Sequence, residues 1–151
     1  MMTTAKINLT PAEWEIMRII WTKGAITSNE VITLIQGKKN WSESTIKTLL
    51  RRLVKKTALA TAKVGRKFIY SAEIDENSAI DQITDDTFSR LCEMKKGAEL
   101  AKLITSTTLS KHDIQTMQAI LAKKLATAPE KVACNCLSGE NQCDPKYCEV
   151  E

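Results

Sequence analysis

The chain has 151 residues, 43% of them hydrophobic and 26% charged, a balance that supports a core and excludes fibrous or disordered classes. No apolar run approaches the roughly 18 residues needed to span a bilayer, and Met1 to Leu9 hold no continuous apolar stretch of an export signal, so no membrane association and a cytoplasmic location are expected. The net charge of +4 hides an asymmetry: residues 1–75 carry 13 Lys and Arg against 6 Asp and Glu, residues 76–151 carry 9 against 12, and from Trp41 to Lys67 eight bases face one acid, Glu43. Such a concentrated basic surface suits a phosphate backbone better than a small-molecule substrate.

Thr10-Pro11-Ala12-Glu13 supplies an N-cap hydroxyl, a proline at the first helical position and a glutamate that bonds back to the cap. Trp14, Met17, Ile20 and Trp21 follow at helical spacing, and Lys23-Gly24 ends the helix. After Ala25-Ile26-Thr27, Ser28 is expected to cap a second helix with Val31, Ile32, Leu34 and Ile35 on its buried face and Gly37 at its end. A third helix runs from Ser42 to about Lys56, its apolar face made by Ile46, Leu49, Leu50, Leu53 and Val54.

The opposite face of that third helix carries Ser44, Thr45, Lys47, Thr48, Arg51, Arg52 and Lys55. A helix entering a major groove needs short polar side chains at its leading end and cations beside them, so this face reads as the second helix of a helix-turn-helix. Leu59 to Val64, Gly65, then Lys67 to Glu73 reads as a hairpin with Arg66 and Lys67 at or beside its tip. Basic helix followed by basic-tipped hairpin is the order of a winged helix, giving a mostly α chain with a small β wing, an α+β class.

Past Asp75 the pattern changes. Asn77 or Ser78 is expected to cap a helix carrying Ile80, Ile83, Thr87, Leu91 and Met94, broken near Gly97. A shorter piece carries Leu100, Leu103 and Ile104, and Ser110-Lys111-His112-Asp113 opens a last helix with Ile114, Met117, Ile120, Leu121 and Leu125 on one side. Some fifty residues form no independent core, so these faces call for the same segment of a second chain, a two-fold homodimer. The division expected is 1–75 for the winged helix, 76–128 for helical dimerisation and 129–151 for a cysteine-bearing tail.

The tail holds Cys134-Asn135-Cys136, then Cys143 and Cys148. Four thiols within fifteen residues and without an export signal argue against a disulfide framework. They suit soft or borderline ions, Zn(II) or Cu(I). A sensing site, a structural zinc, a redox switch and chance clustering all remain open on spacing alone. Cys92, near the apolar stripe of the dimerisation helix, reads as a small core hydrophobe and stands outside the site. His112 reads as a cap-region or surface residue. No paired carboxylates, no nucleophile with a histidine partner and no phosphate-cradling glycine loop support an enzyme.

Leu9-Thr10-Pro11-Ala12-Glu13-Trp14-Glu15-Ile16-Met17 with Ile20-Trp21, and Trp41-Ser42 followed by Ser44 to Lys56, resemble the penicillinase-repressor (BlaI/MecI) family, from about Leu9 to Leu125. The tail resembles that family's copper-responsive, CopY-type branch. The resemblance implies a homodimer on an inverted-repeat operator, contacted by Ser44, Thr45, Lys47, Thr48 and Arg51 on the helix and Arg66 and Lys67 on the wing. It also implies a zinc-loaded form that holds DNA and release by Cu(I) at Cys134, Cys136, Cys143 and Cys148. Two features depart from the pattern: the branch has two Cys-x-Cys pairs four residues apart, where this chain has a gap of six and a second pair Cys-x4-Cys, and Thr57 stands where the family often has glycine. The competing readings are a β-lactam-responsive repressor relieved by proteolysis, a thiol-based redox regulator, and a metal-buffering protein.

Overall fold

The structure is a computed structural model that describes residues 6–137. Among the described residues it has six helices and a three-stranded antiparallel sheet, as expected for a winged helix with a helical extension. The chain divides between Thr84 and Asp85 into two compact units.

The first unit begins with α1, Pro11–Lys23. Thr10 Oγ1 accepts from the Glu13 amide at 3.2 Å and Glu13 Oε2 accepts from the Thr10 amide at 3.0 Å, so the expected capping box is complete. Glu13 is only 1% exposed, and Lys56 Nζ reaches Glu13 Oε2 at 2.7 Å and the Asn8 carbonyl at 2.8 Å. One buried carboxylate thereby ties the start of the first helix to the end of the third.

Strand β1, Ile26–Thr27, leads directly into α2, Ser28–Gln36. The cap of α2 is Thr27 rather than Ser28. Thr27 has Glu30 three residues on, the spacing at which cap hydroxyl and glutamate satisfy each other's amides, and both bonds form. Val31, Ile32 and Ile35 are buried, whereas Leu34, expected on the same face, is 37% exposed on its flank.

Helix α3, Glu43–Lys55, is capped by Ser42 and buries Ile46, Leu49, Leu50 and Leu53. It ends on a Schellman motif: the Ala58 amide donates to the Leu53 carbonyl and the Thr57 amide to the Val54 carbonyl, both at 3.0 Å. That motif requires a left-handed residue after the cap. Thr57 supplies it at φ 62°, although a branched Cβ makes this backbone costly.

Strands β2, Leu59–Val64, and β3, Lys67–Ala72, form the hairpin, with Leu59 opposite Ala72 and Val64 opposite Lys67. Gly65 alone of the two turn residues has positive φ, at 64°, the signature of a type II′ hairpin turn. β1 completes the sheet on the far side of β3, pairing Ile26 with Tyr70 and Thr27 with Ile69. Two residues are too few for an alternating pattern, which is why this strand is invisible in the sequence. The core gathers side chains of all these elements, and Trp21 Nε1 donates to the Ile74 carbonyl at 2.9 Å while its ring meets Trp14 edge-on at 5.4 Å.

Helix α4, Glu76–Ser89, is capped by Asp75, whose carboxylate accepts from the Ser78 amide at 3.1 Å, and not by Asn77 or Ser78. Its start closes onto the first unit through the Ile7 amide, which donates to Gln82 Oε1 at 3.1 Å.

In the second unit the helix expected to run to Gly97 breaks earlier, at Arg90–Cys92, and α5 spans Glu93–Ser106 straight through Gly97. A Cβ at Gly97 would meet nothing within 4 Å, so this glycine sits on an open helical face where it weakens the helix without ending it. Helix α6, Lys111–Leu125, carries the expected Ser110–Asp113 capping box, and the exposed His112 lies in its first turn. Neither α5 nor α6 contains a buried residue.

Candidate nucleic-acid interface and thiol cluster

Because Ile46, Leu49, Leu50 and Leu53 face the core, the helical period turns Ser44, Thr45, Lys47, Thr48 and Arg51 outward, and all five are exposed. The N-terminal hydroxyls form a local network: Ser42 Oγ lies 3.0 Å from Ser44 Oγ and 2.9 Å from Thr45 Oγ1, and Thr48 Oγ1 donates to the Ser44 carbonyl at 2.9 Å. A shallow depression is lined by Ser44, Thr45, Thr48, Leu49 and Arg52, so Arg52 belongs to the same surface. Lys47 Nζ is paired with Glu43 Oε1 at 2.6 Å, one turn back. Both partners are about half exposed, so water screens the pair and it yields readily to a phosphate.

Arg66 occupies the second turn position of the hairpin and Lys67 opens β3; both are exposed. Behind the tip, Lys63 Nζ stands 6.0 Å from the centre of the Phe68 ring, directly across the strand pair. Short hydroxyls at the front of a helix, cations along it and cations at the tip of a neighbouring hairpin, all on one compact unit, make a surface chemically suited to base edges and phosphates.

The second unit holds a different chemistry. Cys92 is the residue before α5 and is partly buried, outside the buried apolar core. Its Sγ lies 3.4 Å from that of Cys134, and the sulfurs of Cys92, Cys134 and Cys136 all lie within 4.8 Å of one another. The Cys-x-Cys loop is docked on the first turn of α5: the Glu93 amide donates to Asn135 Oδ1 at 3.0 Å, and the Cys136 amide to Cys134 Sγ at 3.4 Å. Partial burial works against ionisation of Cys92, but the Cys134 thiol and the backbone amides of Met94 and Asn135 favour the anion more strongly and bring it down to about 7. Cys136, with Cys134 and then Cys92 as neighbours, is pushed up to about 11.

Two of the four tail cysteines singled out from the sequence, Cys134 and Cys136, therefore meet here, and Cys143 and Cys148 lie outside the described residues. Cys92 is the residue that sequence reasoning missed. Forty-two positions separate it from Cys134, and no local spacing rule connects the two.

A family model described as "Penicillinase repressor" matches residues 9–123. The chain is 52% identical over 144 residues to an uncharacterized 16.5 kDa protein in the ptsI 3′ region of Latilactobacillus sakei, covering 95% of each chain. It is 34% identical over 114 residues to the penicillinase repressor of Bacillus licheniformis, covering 76% of this chain and 89% of that one. The solution structure of the DNA-binding domain of the repressor BlaI is 41% identical, covering 50% of this chain and 93% of that one, with a TM-score of 0.46.

Proposed function

The chain belongs to the penicillinase-repressor family, and from that membership we propose that it is a transcriptional repressor, not an enzyme, that binds an inverted-repeat operator as a homodimer and responds to Cu(I) through its thiols. The observation that carries the DNA-binding part is the exposed face of α3, hydroxyl-bearing at its start and cationic along its length, while the other face of the same helix is fully committed to the core. Ser44, Thr45 and Thr48 are short enough to meet base edges, Lys47 and Arg51 flank them, and Arg66 and Lys67 place the wing on the neighbouring backbone. The apolar side chains that α5 and α6 leave exposed support the homodimer.

The metal-responsive part is supported by the donor set. The cluster offers sulfur alone, which suits Cu(I) and zinc and disfavours hard, oxygen-seeking ions. In this reading Cys134, Cys136, Cys143 and Cys148 hold zinc in the dimer that retains its operator, and Cu(I) displaces that zinc from the thiolates and releases the DNA.

Equilibrium DNA binding by the full chain under zinc, Cu(I) and chelator tests both parts. Tight, sequence-selective binding is expected with zinc, and release with Cu(I). Arg51→Ala should weaken binding about tenfold or more, and each phosphate contact removed should flatten the salt dependence of log K by about 0.9. No preference for any duplex over random fragments at low salt would overturn the repressor reading. A zinc-loaded complex left intact by Cu(I) but dissociated by peroxide would replace metal response with redox control.

A further inference from the structure

We propose that Cys92 is itself a metal ligand, forming with Cys134 and Cys136 a three-thiolate site for Cu(I) that fastens the segment after α6 to the N-terminus of α5. What occupancy does to DNA rests on the metal-responsive reading above, whereas the site stands on its own sulfurs.

Three sulfurs bound to one ion at roughly 2.3 Å lie about 4 Å apart when the ion sits in their plane. The three thiols already lie within 4.8 Å of one another, with Cys92 and Cys134 at 3.4 Å, so closing on an ion takes shifts well within side-chain rotation. Three soft donors with no carboxylate or imidazole among them match the trigonal preference of Cu(I). Asn135, between the two tail cysteines, anchors their loop to the Glu93 amide, so the second and third sulfurs are carried to the first by a fixed contact. On binding, each thiol gives its proton to solvent and its sulfur lone pair to the ion, with no change of oxidation state.

Cys134 and Cys136 provide two sulfurs from one short loop; the third comes from the other end of the α5–α6 pair. An ion held by all three closes residues 92–136 into a ring that contains both helices with exposed apolar faces. Occupancy thus constrains the segment proposed to form the dimer, which gives a thiol site remote in sequence from α3 a physical route to the repressor's assembly.

The test is thiol footprinting of the full chain: anaerobic alkylation with iodoacetamide, with and without one equivalent of Cu(I), mapped by peptide mass spectrometry. Cu(I) should protect Cys92 together with Cys134 and Cys136, and Cys92→Ser should lower Cu(I) affinity at least about tenfold in a chelator competition. The Cys143→Ser/Cys148→Ser double variant should keep the protection of Cys92. Alkylation of Cys92 at the same rate with and without Cu(I) would overturn the site, as would a Cys92–Cys134 disulfide that forms in place of Cu(I) binding. Footprinting of the unsubstituted chain decides the matter even where Cys92→Ser misfolds. Protection of Cys92 without DNA release would sink the metal-responsive reading and leave the site standing; DNA release without protection would do the reverse.

Discussion

Among the described residues, the buried apolar side chains all fall between Ile16 and Ala79, whereas α5 and α6 bury none and leave Leu100, Leu103, Ile104, Ile114, Ile120 and Leu121 between 43% and 57% exposed. The first unit holds three helices and the start of α4 around a small sheet, so each amphipathic face has a counterpart within the chain. The second has two helices, α5 and α6, whose apolar side chains remain largely in water. Burying a Leu or Ile contributes roughly 1.5–3 kcal/mol, so the first unit can be stable alone and the second gains most from a second copy.

The sharpest way to separate the units is a cavity in the first. Leu50 is 1% exposed on the core side of α3, and Leu50→Ala should cost about 3 kcal/mol of unfolding free energy, read by denaturant titration. The unfolding midpoint of the first unit should be independent of protein concentration. A midpoint that rises with concentration would show that the first unit is not stable alone. The complementary variant is Ile120→Asp, at a position 53% exposed in the single chain. It should raise the dimer dissociation constant at least about a hundredfold in sedimentation equilibrium, ~2.7 kcal/mol, and leave the denaturation of the first unit unchanged. An unaltered dimer would remove α6 from the interface.

The same division governs what the sequence reveals. Where structure is local, the residues announce it: Thr10 and Ser110 cap the helices that their hydroxyls promise, Ser42 stands at the start of the third helix as its cap, and Gly65 sits at the hairpin turn. The errors are of two kinds. Thr27 and Ser28 are adjacent hydroxyls, and only the glutamate at the right distance chooses between them. β1, the continuity of α5 through Gly97 and the break at Arg90–Cys92 depend on tertiary pairing and exposure, which no local spacing encodes. The candidate sites divide likewise. The α3 face is a one-helix pattern and could be written down residue by residue, while the thiol cluster joins Cys92 to Cys134 across an intervening pair of helices. A lone cysteine near an apolar stripe looks like core until the chain is folded.

Thr57 marks the point where local rule and fold conflict inside the unit that otherwise obeys its sequence best. The Schellman bonds from Ala58 and Thr57 aim the chain from α3 into β2, and they demand positive φ at a residue whose branched side chain resists it. Threonine gains one compensating bond, Oγ1 donating to the Lys56 carbonyl at 2.6 Å, with the side chain otherwise exposed. Thr57→Gly removes a strain of roughly 1–2 kcal/mol and adds back part of it as extra freedom of the unfolded chain. The net expectation is a gain of about 0.5–1 kcal/mol, seen as a rise of roughly 2–8 °C in the melting temperature of a domain this size, with the dimer constant unmoved. Thr57→Asn should fall between the two, since asparagine tolerates this backbone better than threonine. A lower melting temperature for Thr57→Gly would mean that the hydroxyl bond outweighs the backbone strain, and the wing would then owe its placement to the side chain that glycine lacks.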